Sequence, residues 1–301
     1  MSSARVDVAP DRAWRMPIVI LAAAGLASTA PLLVLLAGPI LFGVPHVLGD
    51  VRVLWLARPG GFGGRAAWLA AAALLAMTCL RVTNLFDGAP RLQLELLCGI
   101  AAIAIAATSG ARTMRRRVAW ALSLALAAWV SWLHPRACIL ALAHGHNVIA
   151  LVVWLAWRPL RAGSIRVVAL YGLGAAFVAL ATTGSIRGES VGGLDGARIL
   201  SELAPQLTGE LADAVVRSFA FAQLVHYGIW AWDLPGGTRW DVRAQLGGLG
   251  FGACVILILV VPLLGIFAPA ETRSTYLQVA LAHGWLELTV GAYLLAKGVR
   301  S

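Results

Sequence analysis

Four short stretches of this sequence place polar groups inside otherwise apolar runs. GVPHVLGD (residues 43–50) sets His46 four residues before Asp50, and AHGWLE (282–287) sets His283 four residues before Glu287. AHGHN (143–147) carries His144, His146 and Asn147, and QLVHYGIW (223–230) carries Gln223, His226, Tyr227 and Trp230. Residues three or four apart share one face of a helix. Each of His46 and His283 therefore shares a face with its acid, and His226 with Gln223. Neutral imidazole is a common metal ligand, and a carboxylate beside it either ligates or orients the ring. Ionisable groups are expensive to keep in apolar helices and usually line a site or pathway. The chemistry indicated is a metal centre. His46, His144, His226 and His283 are the first candidates for ligands. His146, Asp50 and Glu287 follow, as further ligands or as supports of a ligand, and Asp50 and Glu287 are also candidates for a catalytic general base. Asn147, Gln223, Tyr227, Trp230 and Trp285 are candidates for the wall of a substrate pocket. His144 and His146 lie about 200° apart on an ideal helix, so both can face one point only if Gly145 loosens the backbone.

The elements that position these groups are membrane helices. Of the 301 residues 60% are hydrophobic and 13% charged, whereas soluble domains run nearer 45–50% and about 25%. A span needs about 20 apolar residues, and ten such stretches are expected: 17–36, 39–57, 66–82, 92–110, 118–134, 137–157, 166–184, 215–234, 245–267 and 275–296. Residues 16–57 are too long for one span, and Pro31 and Pro39 offer breaks. With the N-terminus in the cytoplasm, sixteen of the 24 Lys and Arg residues fall inside, six fall outside, and Arg52 and Arg217 lie within or at the edge of spans. That asymmetry predicts both termini inside, and it accounts for the +10 net charge without nucleic acid. The expected fold is an all-α polytopic transmembrane bundle, one integral domain over residues 1–301 in a bacterial cytoplasmic membrane. Residues 185–214 form an external loop with an interfacial helix. The polar, basic N-terminus does not read as a cleaved signal. Cys79, Cys98, Cys138 and Cys254 read as small packing residues.

Five of the six histidines fall within the expected spans. Counted from the outer end of each helix at 1.5 Å per residue, His46, His144, His146, His226 and His283 lie about 10–14 Å deep. Histidines placed only for packing have no reason to share a depth. His134, before Pro135, reads as an interface residue. Glu95 and Asp233 read as ordinary residues near helix ends.

Several histidines with a few carboxylates suit iron, zinc or copper. Iron with open positions would activate O2, zinc would activate water, and a site within the bilayer implies a lipophilic substrate such as a carotenoid, lipid, quinone or polyketide. GVPHVLGD, AHGHN and QLVHYGIW resemble motifs of the Brp/Blh family of membrane carotene dioxygenases. The Pro-His-x-x-x-Asp element at His46 and Asp50 is the closest of these, although Val47 stands where that family has glycine. The resemblance implies a polytopic enzyme using non-haem Fe(II) for oxidative cleavage. Three other readings of the same residues stand beside it: a metal-dependent hydrolase, isomerase or cyclase with zinc, a b-type haem protein, and a proton or metal-ion transporter.

Overall fold

In the computed structural model the described residues are 14–51, 61–83, 88–157, 162–181, 184–230 and 242–298. Among them are eleven α-helices: α1 (Arg15–Thr29), α2 (Pro31–Asp50), α3 (Gly64–Thr83), α4 (Gly88–Gly110), α5 (Met114–Leu133), α6 (Pro135–Trp157), α7 (Ala162–Leu180), α8 (Gly196–Leu203), α9 (Gly209–Gly228), α10 (Val242–Phe267) and α11 (Pro269–Lys297). The all-α class follows the sequence. Five of these helices are long and apolar enough to cross a membrane: α2 to Gly49, α3, α4, α10 from Gly247, and α11. A sixth span results if α5 and α6 to Ile149 form one, since together they pass the same test across a 118° bend. Only His134 separates the two helices.

The chain divides into two compact units. The first comprises residues 1–46 and 150–274, and the second residues 47–149 and 275–301.

In the first unit α1 packs on α7 and α9, and α7 packs on α9. Close approach depends on missing side chains. A Cβ at Gly228 would stand 2.4 Å from Val19, and one at Gly174 would stand 3.0 Å from the Phe221 ring. The break expected near residues 36–39 lies instead at Ala30–Pro31. Proline disfavours helical backbone in the residue before it and is well tolerated at the first position of a helix, so α1 ends and α2 begins there. Pro39 and Pro45 both sit inside α2. Pro39 has no N–H to offer the carbonyl of Leu35 four residues earlier, and Arg273 Nε donates to that carbonyl at 2.7 Å. A foreign donor thus keeps the helix intact where the sequence suggests a break. Arg217, buried in α9, likewise donates to the carbonyls of Ser28 and, at 2.9 Å, Gly184.

The segment after α7 contains a 3-10 turn (Ile186–Gly188) and a two-residue hairpin, β1 (Ser190–Val191) and β2 (Leu194–Asp195). Gly192 and Gly193 both have positive φ, which suits a two-residue hairpin turn. Asp195 then caps α8 by accepting from the backbone N–H groups of Ala197 and Arg198. This short helix buries Ile199 and Leu200 and falls within the region where an interfacial helix is expected.

In the second unit α3 packs along α4 and α4 along α5. Ala107, Ala111, Ala292 and Ala296 form a small-residue seam between α4 and α11, the composition that lets apolar helices approach closely. Glu95 departs from its expected role near a helix end. It is fully buried and receives Arg81 through Nε at 3.0 Å and Nη2 at 2.6 Å. Arg91 stands 3.5 Å from its other oxygen. The charge is sustained by its two arginines.

Candidate metal centre

In the first unit α2 and α9 bring His46 and His226 together. Phe42 and His46 recur at i, i+4 on α2. Gln223, His226, Tyr227 and Trp230 recur at i, i+3, i+4 and i+7 along α9 and the turn that ends it. Both helices therefore present one face to the other. The two Nε2 atoms lie 2.9 Å apart, with the rings nearly perpendicular at 77°. His46 is 3% exposed and His226 1%. Tyr227 and Trp230 flank His46 with ring centroids at 5.4 and 5.8 Å, and Phe42 packs against Tyr227 at 6.2 Å. Gln223 Nε2 donates to the Tyr227 hydroxyl at 3.3 Å. Three of the five expected pocket residues thus stand beside the imidazole pair. The Trp230 indole N–H is buried and has no hydrogen-bond partner among the described residues.

In the second unit α6 and α11 bring together His146, His283 and Glu287. His283 Nε2 lies 3.0 Å from His146 Nε2. Glu287 Oε2 lies 3.2 Å from the other ring nitrogen, Nδ1. The i, i+4 pair on α11 therefore straddles one imidazole, with a partner at each nitrogen. Room for that ring comes from Gly284, where a Cβ would stand 2.9 Å from His146 Nδ1. Glu287 is 1% exposed.

Glu287 Oε2 stands at ion-pair distance from His146 Nδ1, without the alignment of a hydrogen bond. His283 donates from Nδ1 to the carbonyl of Ala280, one turn earlier. The two Nε2 atoms face one another at 3.0 Å, and the tautomers of the rings decide which of them donates. A second-sphere carboxylate or carbonyl fixing the tautomer of a histidine is the usual support of a metal ligand. The donor set thus fits a metal ion.

Other expected site residues are placed elsewhere. His144 is half-buried, and it is His146 that meets His283. That agrees with the helical geometry, which gives only one of the two histidines to a given face. Asn147 is buried and turns back along its own helix, donating to Ala143 O at 3.3 Å. Trp285 packs over Gly99 of α4, where a Cβ would stand 2.3 Å from the indole. The side chain of Asp50, together with Arg52 and Asp233, lies outside the described residues. Two contributors escaped the reading of the sequence. The Ala280 carbonyl is backbone and carries no signal in side-chain identity. Gly284 does carry one, because a glycine directly after a helical histidine can mark space left for a neighbouring ring.

Set against protein-family profiles, curated proteins and solved structures, the chain matches none.

Proposed function

We propose that the chain is a membrane metalloenzyme that holds non-haem Fe(II) at its histidine pairs, His46 with His226 in the first unit and His146 with His283 in the second, and oxidises a lipophilic substrate with O2. The observation that carries the metal reading is the convergence of His146 and His283, Nε2 to Nε2 at 3.0 Å between two apolar helices, with the buried Glu287 carboxyl 3.2 Å from the other nitrogen of His146. Iron, in place of zinc, is taken from the motif resemblance.

When bound, Fe(II) with open positions supplies the activation of O2. The chain's own groups do the rest. Glu287 lies against the Nδ1 side of His146 and orients the ring by its charge, and the Ala280 carbonyl accepts from Nδ1 of His283. Tyr227, Trp230 and Phe42 form an apolar wall beside His46 for an unsaturated hydrocarbon chain, with the Trp230 N–H as a donor for an oxygen on the substrate. Glu287 faces a ring nitrogen, which makes it a positioning residue first and a general base second. Ten spans with both termini in the cytoplasm, in a bacterial cytoplasmic membrane, are the topology consistent with the distribution of Lys and Arg. The carotenoid class is supported by the three motif resemblances and by the apolar, aromatic wall.

The test is metal analysis of protein purified in mild detergent without chelators, together with its visible spectrum. Iron without a haem band supports the reading, and a lipophilic-substrate screen with and without O2 then follows. Zinc, with turnover in the absence of O2, replaces it with hydrolytic or isomerising chemistry. A chain that neither retains nor takes up metal sinks it. Metal content of His46→Ala and of His283→Ala, measured separately, then tells how many ions the four histidines hold.

A further inference from the structure

The second unit gathers cations at one end. Arg65 near the start of α3, Arg112 after α4, Arg115, Arg116 and Arg117 in the first turn of α5, and Lys297 at the end of α11 all belong to it. Their convergence rests on contacts. Arg116 Nη1 donates to Ala296 O at 3.4 Å, and Arg117 Nε donates to Ala111 O at 3.1 Å. A Cβ at Gly298 would stand 3.0 Å from Arg116 Nη1, and one at Gly61 would stand 3.8 Å from Lys297 Nζ. Phe62 packs on Tyr293 at 5.0 Å, and Lys297 lies 5.7 Å over the same tyrosine ring. No Asp or Glu occurs in residues 51–86, 96–188 or 288–301.

This arrangement opposes a local rule. The first turn of a helix favours acids, because unsatisfied N–H groups make it positive, yet α5 opens with three consecutive arginines. A preference for cytoplasmic cations would be met by arginines anywhere in a loop. Here two guanidinium groups are instead held by the carbonyl ends of α4 and α11, which fixes them and leaves their other N–H groups for a ligand. Arg65, Arg112 and Arg115 are exposed beside them.

We propose that this end of the second unit binds the phosphate headgroup of an anionic phospholipid. A membrane chain meets such headgroups where its helices leave the hydrocarbon, and clusters of Lys and Arg just beyond apolar helices recognise them. Exposed Arg112 and Arg115 attract the headgroup, and the anchored Arg116 and Arg117 hold it by charge-assisted hydrogen bonds.

The test uses full-length protein in nanodiscs of phosphatidylcholine containing graded phosphatidylglycerol, with bound lipid read by native mass spectrometry. Wild type is expected to retain phosphatidylglycerol over phosphatidylcholine, and to do so less as salt rises. Arg112→Gln combined with Arg115→Gln is expected to weaken binding about twenty-fivefold, about fivefold for each cation near the surface. Arg136→Gln, an exposed arginine beyond the other end of α5, is expected to leave it unchanged. Equal binding by the double variant and wild type overturns the proposal, as does an equal loss in Arg136→Gln, which would reduce the effect to net charge. Wild type alone gives a test that needs no variant: no preference for phosphatidylglycerol at low salt, or co-purifying nucleic acid in its place, also overturns it. Metal content is read in parallel and is expected to be the same in every variant, so this outcome is independent of the metal reading.

Discussion

Replacing Glu287 by Gln tests the reasoning about the metal centre most directly. The substitution keeps the shape of a fully buried side chain 3.2 Å from His146 Nδ1 and removes only its charge. The ring keeps its neighbour but loses the negative charge beside it, and becomes a poorer base and a poorer ligand. Loss of such a support typically costs 10–100-fold in metal affinity, or about 1.4–2.7 kcal/mol. The loss can be read as heat stability. At a free metal concentration about 100 times the wild-type Kd, binding stabilises the fold by about 2.7 kcal/mol. A tenfold weaker variant keeps about 1.4 kcal/mol of that, and a hundredfold weaker one about 0.4 kcal/mol. The assay is thermal unfolding in detergent with buffered Fe(II) and with chelator, checked by metal analysis. Metal-free Glu287→Gln should melt close to metal-free wild type, and the difference should emerge only as metal is added. Affinity within twofold of wild type would refute the positioning role. A large loss of stability in chelator would refute it too, by showing that Glu287 holds the helices together whatever the metal.

Gly284→Ala puts a methyl group 2.9 Å from His146 Nδ1; metal content should fall although alanine favours the helix by about 1 kcal/mol, and circular dichroism should show α11 intact. His144→Ala should keep its metal and His146→Ala should lose it, as elemental analysis of the two proteins will tell; the reverse result would contradict the pairing of His146 with His283. Arg273→Ala strands the Leu35 carbonyl opposite Pro39 and should lower stability by about 1–3 kcal/mol in thermal unfolding. Adding Pro39→Ala restores a backbone N–H at that position and should recover part of the loss, and a cycle without coupling between the two sites would argue against the substitute donor.

How far the site could be read in advance differed from residue to residue. His283 and Glu287 declared a shared face by their spacing, and the structure sets both on one imidazole. The choice of His146 over His144 could not come from spacing, since either histidine satisfies the same motif and only the rotation of α6 against α11 selects one. Glu95 and Arg273 looked like residues of helix ends and loops. Their burial depended on partners distant in sequence, Arg81 for one and the proline-orphaned carbonyl of Leu35 for the other.

The sequence by itself determined the helical class and the approximate extent of most helices, because apolar length and the stop before Pro135 are local properties of the chain. It also nominated the histidines, since an ionisable group in an apolar helix is conspicuous wherever the helix lies. Tertiary structure alone decided which ring nitrogen faces which partner, that Gly284 makes room for His146, and that α2 runs unbroken through Pro39. Each of these depends on atoms brought within about 3 Å by helices far apart in the chain, and hydrogen bonds and steric exclusion act only at that range.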